Sequence, residues 1–259
     1  KGAFSGPRFG IIRLEGMIMS STDIVNWSNE LSKDRSVAGV LLYINSPGGA
    51  VVPSQEIHAA VKRLAASKPV VVYMSSTAAS GGYYAAVAGD YIVASPSTLT
   101  GSIGVRMDLT EMQELFDTLG IRSQSLSSGP FKESGTPFRP MRDDERVYLQ
   151  GIVQDMHECF IEDIAKGREI SLEAVRAVAD GRAFTGRQAL ALSLVDELGD
   201  IQTAWNALLQ RSELEAFPTE FLDGPPKKKS FVQELITGAV QQLEGEALKS
   251  RNPMPGFYY

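Results

Sequence analysis

Three short stretches carry residue types able to act on a carbonyl group. Ser75-Ser76-Thr77-Ala78-Ala79-Ser80-Gly81-Gly82-Tyr83-Tyr84 sets a hydroxyl directly before a glycine pair, and Asn45-Ser46-Pro47-Gly48-Gly49 supplies a second pair. Ser128-Gly129-Pro130-Phe131-Lys132 offers a lysine among turn-forming residues. A serine nucleophile creates an oxyanion as it attacks, so it needs fixed donors, and glycine N–H groups beside it can serve. Each stretch also has a plain reading: Ser80 as a helix N-cap, the glycine pairs as turns, Lys132 as a solvated loop side chain.

The elements around Ser80 favour the chemical reading. Pro69-Val70-Val71-Val72-Tyr73-Met74 is a buried strand and Ala85-Ala86-Val87-Ala88 lies in a helix, so Ser80 falls at a strand-to-helix junction. There the N–H groups of Gly81 and Gly82 sit at the positive end of the helix and face the space the hydroxyl enters. Gly39-Val40-Leu41-Leu42-Tyr43-Ile44 is a second apolar strand, and the helix Val51 to Ala66 links it to the first. Strand, helix and strand make a right-handed parallel crossover whose loops emerge at one sheet edge. Gly48-Gly49 and Ser80 then share a site, and one N–H from the pair joins that of Gly81 in facing an oxyanion.

Further strands are expected at Phe9 to Leu14, Tyr91 to Ala94 and Ile121 to Leu126, with helices at Asp23 to Leu31 and Leu109 to Leu119. Ser95 to Val105 is a long connector of small residues, and Ser127 to Pro140 an exposed loop. Val147, Ile152, Val153, Met156, Phe160, Ile161 and Ile164 recur at helical spacing, predicting one long helix from Asp143 to Lys166 with a buried stripe, closed by Gly167. Short helices follow from Ser171, Thr185 and Ile201, so the chain is α/β with a helical flank. The main body is expected over residues 9–211. Residues 212–259 form an extension with an amphipathic helix carrying Phe231, Val232, Leu235, Ile236, Val240 and Leu243.

The 259 residues are 43% hydrophobic and 22% charged, enough for a substantial core. A net charge of -6 leaves no cationic excess for phosphates and excludes a general nucleic-acid binder. The single cysteine, Cys159, excludes an intrachain disulfide and a cysteine metal cluster, and is expected to be a buried structural thiol. No run of apolar residues is long enough to span a bilayer.

A general base for Ser80 is not obvious. The two histidines, His58 and His157, both lie within helices rather than after strand ends, His58 reading as a surface imidazole, and neither suits a triad. A lysine can replace histidine when its amine is neutral, which takes a pKa lowered from about 10.4 by desolvation or nearby positive charge. Lys132 is the best placed, since Lys33, Lys62, Lys68 and Lys166 lie on helix surfaces or at element ends.

Taken together, Asn45 to Gly49, Ala79 to Tyr84, Leu99-Thr100-Gly101-Ser102-Ile103-Gly104, Ser128 to Lys132 and Pro137-Phe138-Arg139 resemble the signal peptide peptidase A family in order and spacing. Asp180-Gly181-Arg182, Thr185 to Ala189 and Leu194 to Gly199 add to the likeness, which spans roughly Phe9 to Leu209. The resemblance implies a Clp protease/crotonase-like fold and a Ser-Lys dyad needing no cofactor or metal. It makes Ser80 the nucleophile, Lys132 the base and Ser102 a hydrogen-bonding partner of the lysine amine. Gly81 and the Gly48-Gly49 pair become the oxyanion hole, with the donor of the pair left open. It further implies a homo-oligomeric ring in which the lysine reaches a neighbouring subunit's serine, and hydrophobic peptide substrates such as signal-peptide remnants. Membrane association on the extracytoplasmic side of a bacterial inner membrane, through a segment this chain does not carry, is implied as well. The resemblance is to the short, single-unit form of the family. Two other readings fit the same glycine-rich edge: a crotonase-like acyl-CoA enzyme, which would not need Ser80, and a non-catalytic oligomeric scaffold at a membrane.

Overall fold

A computed structural model describes residues 6–226. The sheet runs β6 (Ala183–Thr185), β5 (Leu99–Gly101), β3 (Val70–Ala79), β2 (Val37–Ser46), β1 (Arg8–Glu15), β8 (Phe221–Gly224), with β4 (Tyr91–Ala94) pairing β3 and β7 (Glu197–Leu198). Its centre is β1, β2 and β3, all parallel. Their near-continuous apolar runs follow from cover on both faces. Val40, Leu42 and Ile44 of β2, with Val70, Val72 and Met74 of β3, join the larger core. Leu41, Val71 and Tyr73 alternate with them and pack on Ala204 and Leu208 of α8 (Ile201–Arg211). The period-two alternation thus divides one sheet between two cores.

Helices α1 (Thr22–Lys33), α2 (Val51–Ala65) and α3 (Gly81–Ala86) cover the larger core, α2 serving as the crossover between β2 and β3. β3 runs further than its apolar stretch, through Ser75 to Ala79. It uses Val71 to Met74 to pair with β4 (Tyr91–Ala94) and Thr77 to Ala79 to pair with β5 (Leu99–Gly101). The register of β3 on β2 slips between Ile44 and Ser46, where Met74 and Ala78 are the partners. This bulge bends the strand end toward β5 and carries Ser80 to the edge of the sheet. β5, placed where a connector was expected, pairs antiparallel with β6 (Ala183–Thr185). β7 (Glu197–Leu198) extends the β4 side.

The middle of the chain departs from expectation. Helix α4 is confined to Gln113–Thr118, and Ile121 to Leu126 form no strand. A strand persists only with a neighbour, and these residues are exposed, Leu126 completely, with no sheet edge beside them. α5 spans Asp143–Arg168, passing Gly167 before Glu169 adopts a left-handed cap at φ 53°. Its apolar stripe is buried only in the second half, at Phe160, Ile161, Ile164 and Ala165, while Val147 is 75% exposed. Cys159 is exposed rather than buried. α6 (Leu172–Arg176) and α7 (Gly186–Ala191) are capped by Ser171 and Thr185, as their sequences predict.

Past Arg211, β8 (Phe221–Gly224) pairs parallel with β1, and Arg13 forms an ion pair with Asp223. The sheet therefore takes in part of the stretch beyond residue 211. The amphipathic helix expected from Phe231 lies outside the described residues. Among the described residues no helix is long and apolar enough to cross a membrane.

Candidate active site

Ser80 sits between the end of β3 and the start of α3 with φ 51° and ψ -121°. This left-handed turn is strained for a residue with a side chain, at a cost of about 1–3 kcal/mol. Two backbone bonds hold it: Ser80 N–H donates to the Gly101 carbonyl at 2.8 Å, and Tyr84 N–H donates to the Ser80 carbonyl at 2.9 Å. The first ties the turn to β5 and the second starts α3. A strained strand-to-helix turn of this kind lifts a hydroxyl clear of its sheet. Ser80 is partly exposed there, while every residue of α3 behind it is buried.

The glycine pair arrives from the neighbouring strand. Ser46, fully buried at the end of β2, donates to the Gly16 carbonyl at 2.6 Å and accepts from Gly48 N–H at 3.2 Å. Gly48 takes φ +98°, and a Cβ there would lie 2.7 Å from the Gly81 nitrogen and 2.8 Å from Ser80 Cβ. Only a glycine lets the two loops approach this closely. Gly49 pairs with Ile18 in a parallel bridge, in which Ile18 N–H donates to the Gly48 carbonyl at 2.9 Å and Ala50 N–H to the Ile18 carbonyl at 2.8 Å. In parallel pairing the residue between those two partners turns its own N–H the other way, so that of Gly49 is directed off the bridge. Gly48 N–H is occupied by Ser46, whereas neither Gly49 N–H nor Gly81 N–H has an acceptor among the described residues. The residue left undecided by sequence alone is thereby distinguished: Gly49 has the open donor.

Ser80, Gly48, Gly49 and Ser102 line one cavity of about 660 Å³, together with Met17, Met19, Pro47, Val51, Val105 and Arg106. A smaller recess beside it touches Ser80, Gly49 and Gly81 and is floored by Tyr84, Met156 and Phe160. Ser102 is itself held at φ 49° by donation from its N–H to the Arg182 carbonyl at 2.9 Å. Five of the six residues singled out by sequence thus meet at one edge.

Lys132 is the sixth, and it stands elsewhere. It is exposed, lines neither space, and its ammonium has no hydrogen-bond or ion-pair partner among the described residues. The histidines do not replace it. His58 is buried, not at the surface, with its ring 5.0 Å from that of Tyr84, and burial holds its pKa below the ordinary value despite Asp163 nearby. Its Nε2 has no partner, and neither does that of His157. Neither imidazole lines the Ser80 cavity.

Some contributors escape sequence inspection. Ser54 of α2 donates to the Ala50 carbonyl at 2.8 Å, and its Oγ would lie 2.2 Å from a Cβ on Gly81, so it fixes how close α2 comes to the Ser80 turn. Tyr84 donates to Asp163 Oδ2 at 2.5 Å, tying α3 to α5; burial pushes its phenol well above the ordinary range. A tyrosine inside an apolar helix gave no sign of that bond, because its acceptor lies 79 residues away.

Residues 62–215 match the family model for peptidase family S49, and residues 14–99 match that for Clp protease. A predicted protease of Methanocaldococcus jannaschii is 41% identical over 186 residues, 72% of this chain and 60% of that protein. A predicted protease of Synechocystis is 35% identical over 90% of this chain and 84% of its own length. A predicted signal peptide peptidase of Enterococcus faecium is 36% identical over 71% of this chain, which spans 54% of that relative.

Proposed function

Because the chain belongs to peptidase family S49, we propose that it is a serine endopeptidase in which Ser80 is acylated and Lys132 of a neighbouring subunit is the general base. The observation that carries this reading is the meeting of a strained serine with two open N–H donors, those of Gly49 and Gly81, in the recess beside the larger cavity.

Ser80 Oγ attacks the scissile carbonyl carbon while the unprotonated lysine amine takes the hydroxyl proton. The carbonyl oxygen gains the negative charge and is met by the N–H groups of Gly49 and Gly81, which are already fixed and need no reorganisation. Collapse breaks the C–N bond, and the lysine ammonium delivers its proton to the leaving amine. Water then attacks the acyl ester with the amine again as base, releasing the acid and Ser80. Ser102, at the cavity wall, accepts from or donates to the lysine amine and sets its direction.

The arrangement within one chain supports an intersubunit dyad. Ser80 sits at a sheet edge on a fully buried α3, while the lysine is exposed on a segment rich in exposed apolar side chains, including Leu115, Leu119 and Leu126. Such a surface fits burial against a second copy, and assembly there would bring a lysine to a cavity that no lysine among the described residues lines. Met17, Met19, Val51 and Val105 make the cavity wall apolar, which suits a hydrophobic peptide; the name of the Enterococcus relative fits remnants of signal peptides as the natural source.

A fluorophosphonate probe tests the assignment. It is expected to modify Ser80 alone, found by peptide mapping, with labelling that accelerates as pH rises and the base loses its proton. Labelling of another residue, or an equal rate across acid and alkaline pH, overturns it.

A further inference from the structure

The segment bearing Lys132 is irregular, and apart from α5 it touches, among the described residues, only the exposed stretch around α4, through Met112 N–H to the Pro137 carbonyl, Phe116 on Phe138 and Ser125 to Glu133. Residues 119–142 form no helix or strand, and none of the residues of α4 is buried. A general base must nevertheless be delivered to within hydrogen-bond reach of its serine, and an error of about 1 Å can cost about a hundredfold in rate. Something must fix the loop.

The head of α5 does so. Glu145 is fully buried although it is a carboxylate in the first turn of a helix. Its Oε1 accepts from Arg139 Nη2 at 2.6 Å and lies 3.0 Å from Arg142 Nη1. Its Oε2 accepts from Arg139 Nη1 at 2.8 Å and from the Arg142 backbone N–H at 3.0 Å. The carboxylate thus accepts three hydrogen bonds and has a second guanidinium at ion-pair distance. Arg139 holds its carboxyl down to about 2, with the Arg142 N–H adding to the effect. The fork of Arg139 is bidentate, an arrangement that fixes direction as well as distance.

The same cluster reaches the lysine. Arg142 also donates through Nη2 to the Pro130 carbonyl at 3.0 Å, two residues before Lys132. Phe131, its immediate neighbour, lays its ring 5.2 Å from that of Tyr148, one turn further along α5 than Glu145. On the far side of the loop, Arg139 is the second anchor. The loop from Pro130 to Arg139 is thus clasped at both ends by one helix turn, and Glu145 is the shared acceptor.

We propose that Glu145, acting through Arg139 and Arg142, is the positioning residue for Lys132: it fixes the Pro130–Arg139 loop so that the lysine is presented to the neighbouring subunit's Ser80. This rests on the shared-dyad reading above. Nothing in the clasp touches the Ser80 cavity, so its loss is expected to reproduce the loss of the lysine and spare the nucleophile.

The test is complementation among full-length assembled proteins. Glu145→Gln keeps the shape of the side chain and removes its charge; kcat on an apolar fluorogenic peptide is expected to fall about 30- to 100-fold with KM within twofold. Co-assembled with Ser80→Ala it is expected to recover activity, because each chain supplies what the other lacks. Co-assembled with Lys132→Ala it is expected to stay silent, because both are deficient in the same function. Recovery with Lys132→Ala, or a kcat within threefold of the parent, overturns the inference. Should Ser80→Ala and Lys132→Ala fail to complement each other, the shared dyad falls instead. The clasp is then judged on the pH dependence of Ser80 labelling, which Glu145→Gln must flatten as Lys132→Ala does; an unchanged profile overturns it. If Glu145→Gln does not fold, Arg142→Ala replaces it, since that change releases Pro130 and leaves the Arg139 fork on Glu145 in place.

Discussion

The turn at Ser80 and the loop at Lys132 lie 52 positions apart in sequence and are built on opposite physical terms. The turn is held from several sides: β5 fixes its N–H, α3 its carbonyl, Gly48 presses against it, and Ser54 sets the distance to α2. Its strained backbone persists because the surrounding elements over-determine it. The loop is held by the clasp on α5 and by the half-exposed segment around α4, where Met112 N–H donates to the Pro137 carbonyl and Phe116 packs on Phe138, and it leaves apolar side chains exposed. A nucleophile and its oxyanion donors need fixed mutual geometry, which a close-packed sheet edge supplies. On the proposed reading the base comes from another chain, so its loop has to present it outward rather than bury it.

That contrast can be broken or sharpened by substitution. The largest combined effect is expected for Gly48→Ala, whose Cβ would meet Ser80 and the Gly81 nitrogen at a backbone angle reserved for glycine. Activity should vanish and stability fall by about 1–3 kcal/mol from overpacking alone, read by peptide cleavage and urea denaturation. Lys132→Ala should abolish cleavage as thoroughly and leave stability within about 0.5 kcal/mol of the parent, as for any exposed side chain. A large loss of stability there would mean that the loop belongs to the core.

Tyr84→Phe comes next. It removes the bond to Asp163 that ties α3 to α5 and strands a carboxylate, so a loss of about 1–3 kcal/mol is expected, with a smaller fall in kcat as the Gly81 donor loosens. A smaller effect concerns pH. His58 is buried beside Tyr84 with a pKa held below 6.5, so the unfolded chain binds its proton first as the solution is acidified. Stability from this group is full above about pH 6.5 and is lost as pH falls toward the folded value. His58→Phe keeps a ring against Tyr84 and should flatten melting temperature between pH 7 and 5; an unchanged slope contradicts the assignment. The smallest effect is expected for Leu126→Ser, fully exposed in one chain, which should leave the monomer's stability within about 0.5 kcal/mol yet weaken assembly.

Much of the nucleophile side is legible in sequence because its signals are local. An apolar run, a serine and two glycine pairs specify a junction, and the crossover through α2 brings the pairs together. The bulge in β3 that moves Ser80 toward β5 is not legible, since its five polar or small residues look like a loop until β5 pairs with them. Ile121 to Leu126 look like a strand for the converse reason: their pattern is right, and no strand among the described residues pairs with them. His58 reads as a surface residue beside Gln55, Glu56 and Lys62, yet its own side chain lies on the buried face of α2 with Ile57, Val61 and Leu64. The Glu145 clasp is the least legible feature, because Asp143, Asp144 and Glu145 look alike as first-turn acids and only one of them is buried.

The most direct test of the divided site is the activity of Ser80→Ala and Lys132→Ala co-assembled from separately inactive proteins. Random mixing of subunits should restore a fraction of parental cleavage, set by the share of neighbours that pair an intact serine with an intact lysine. If the mixture remains as inactive as its components while exchange of subunits is verified by differently tagged chains, the lysine acts within its own chain or is not the base, and the division between the two regions is wrong.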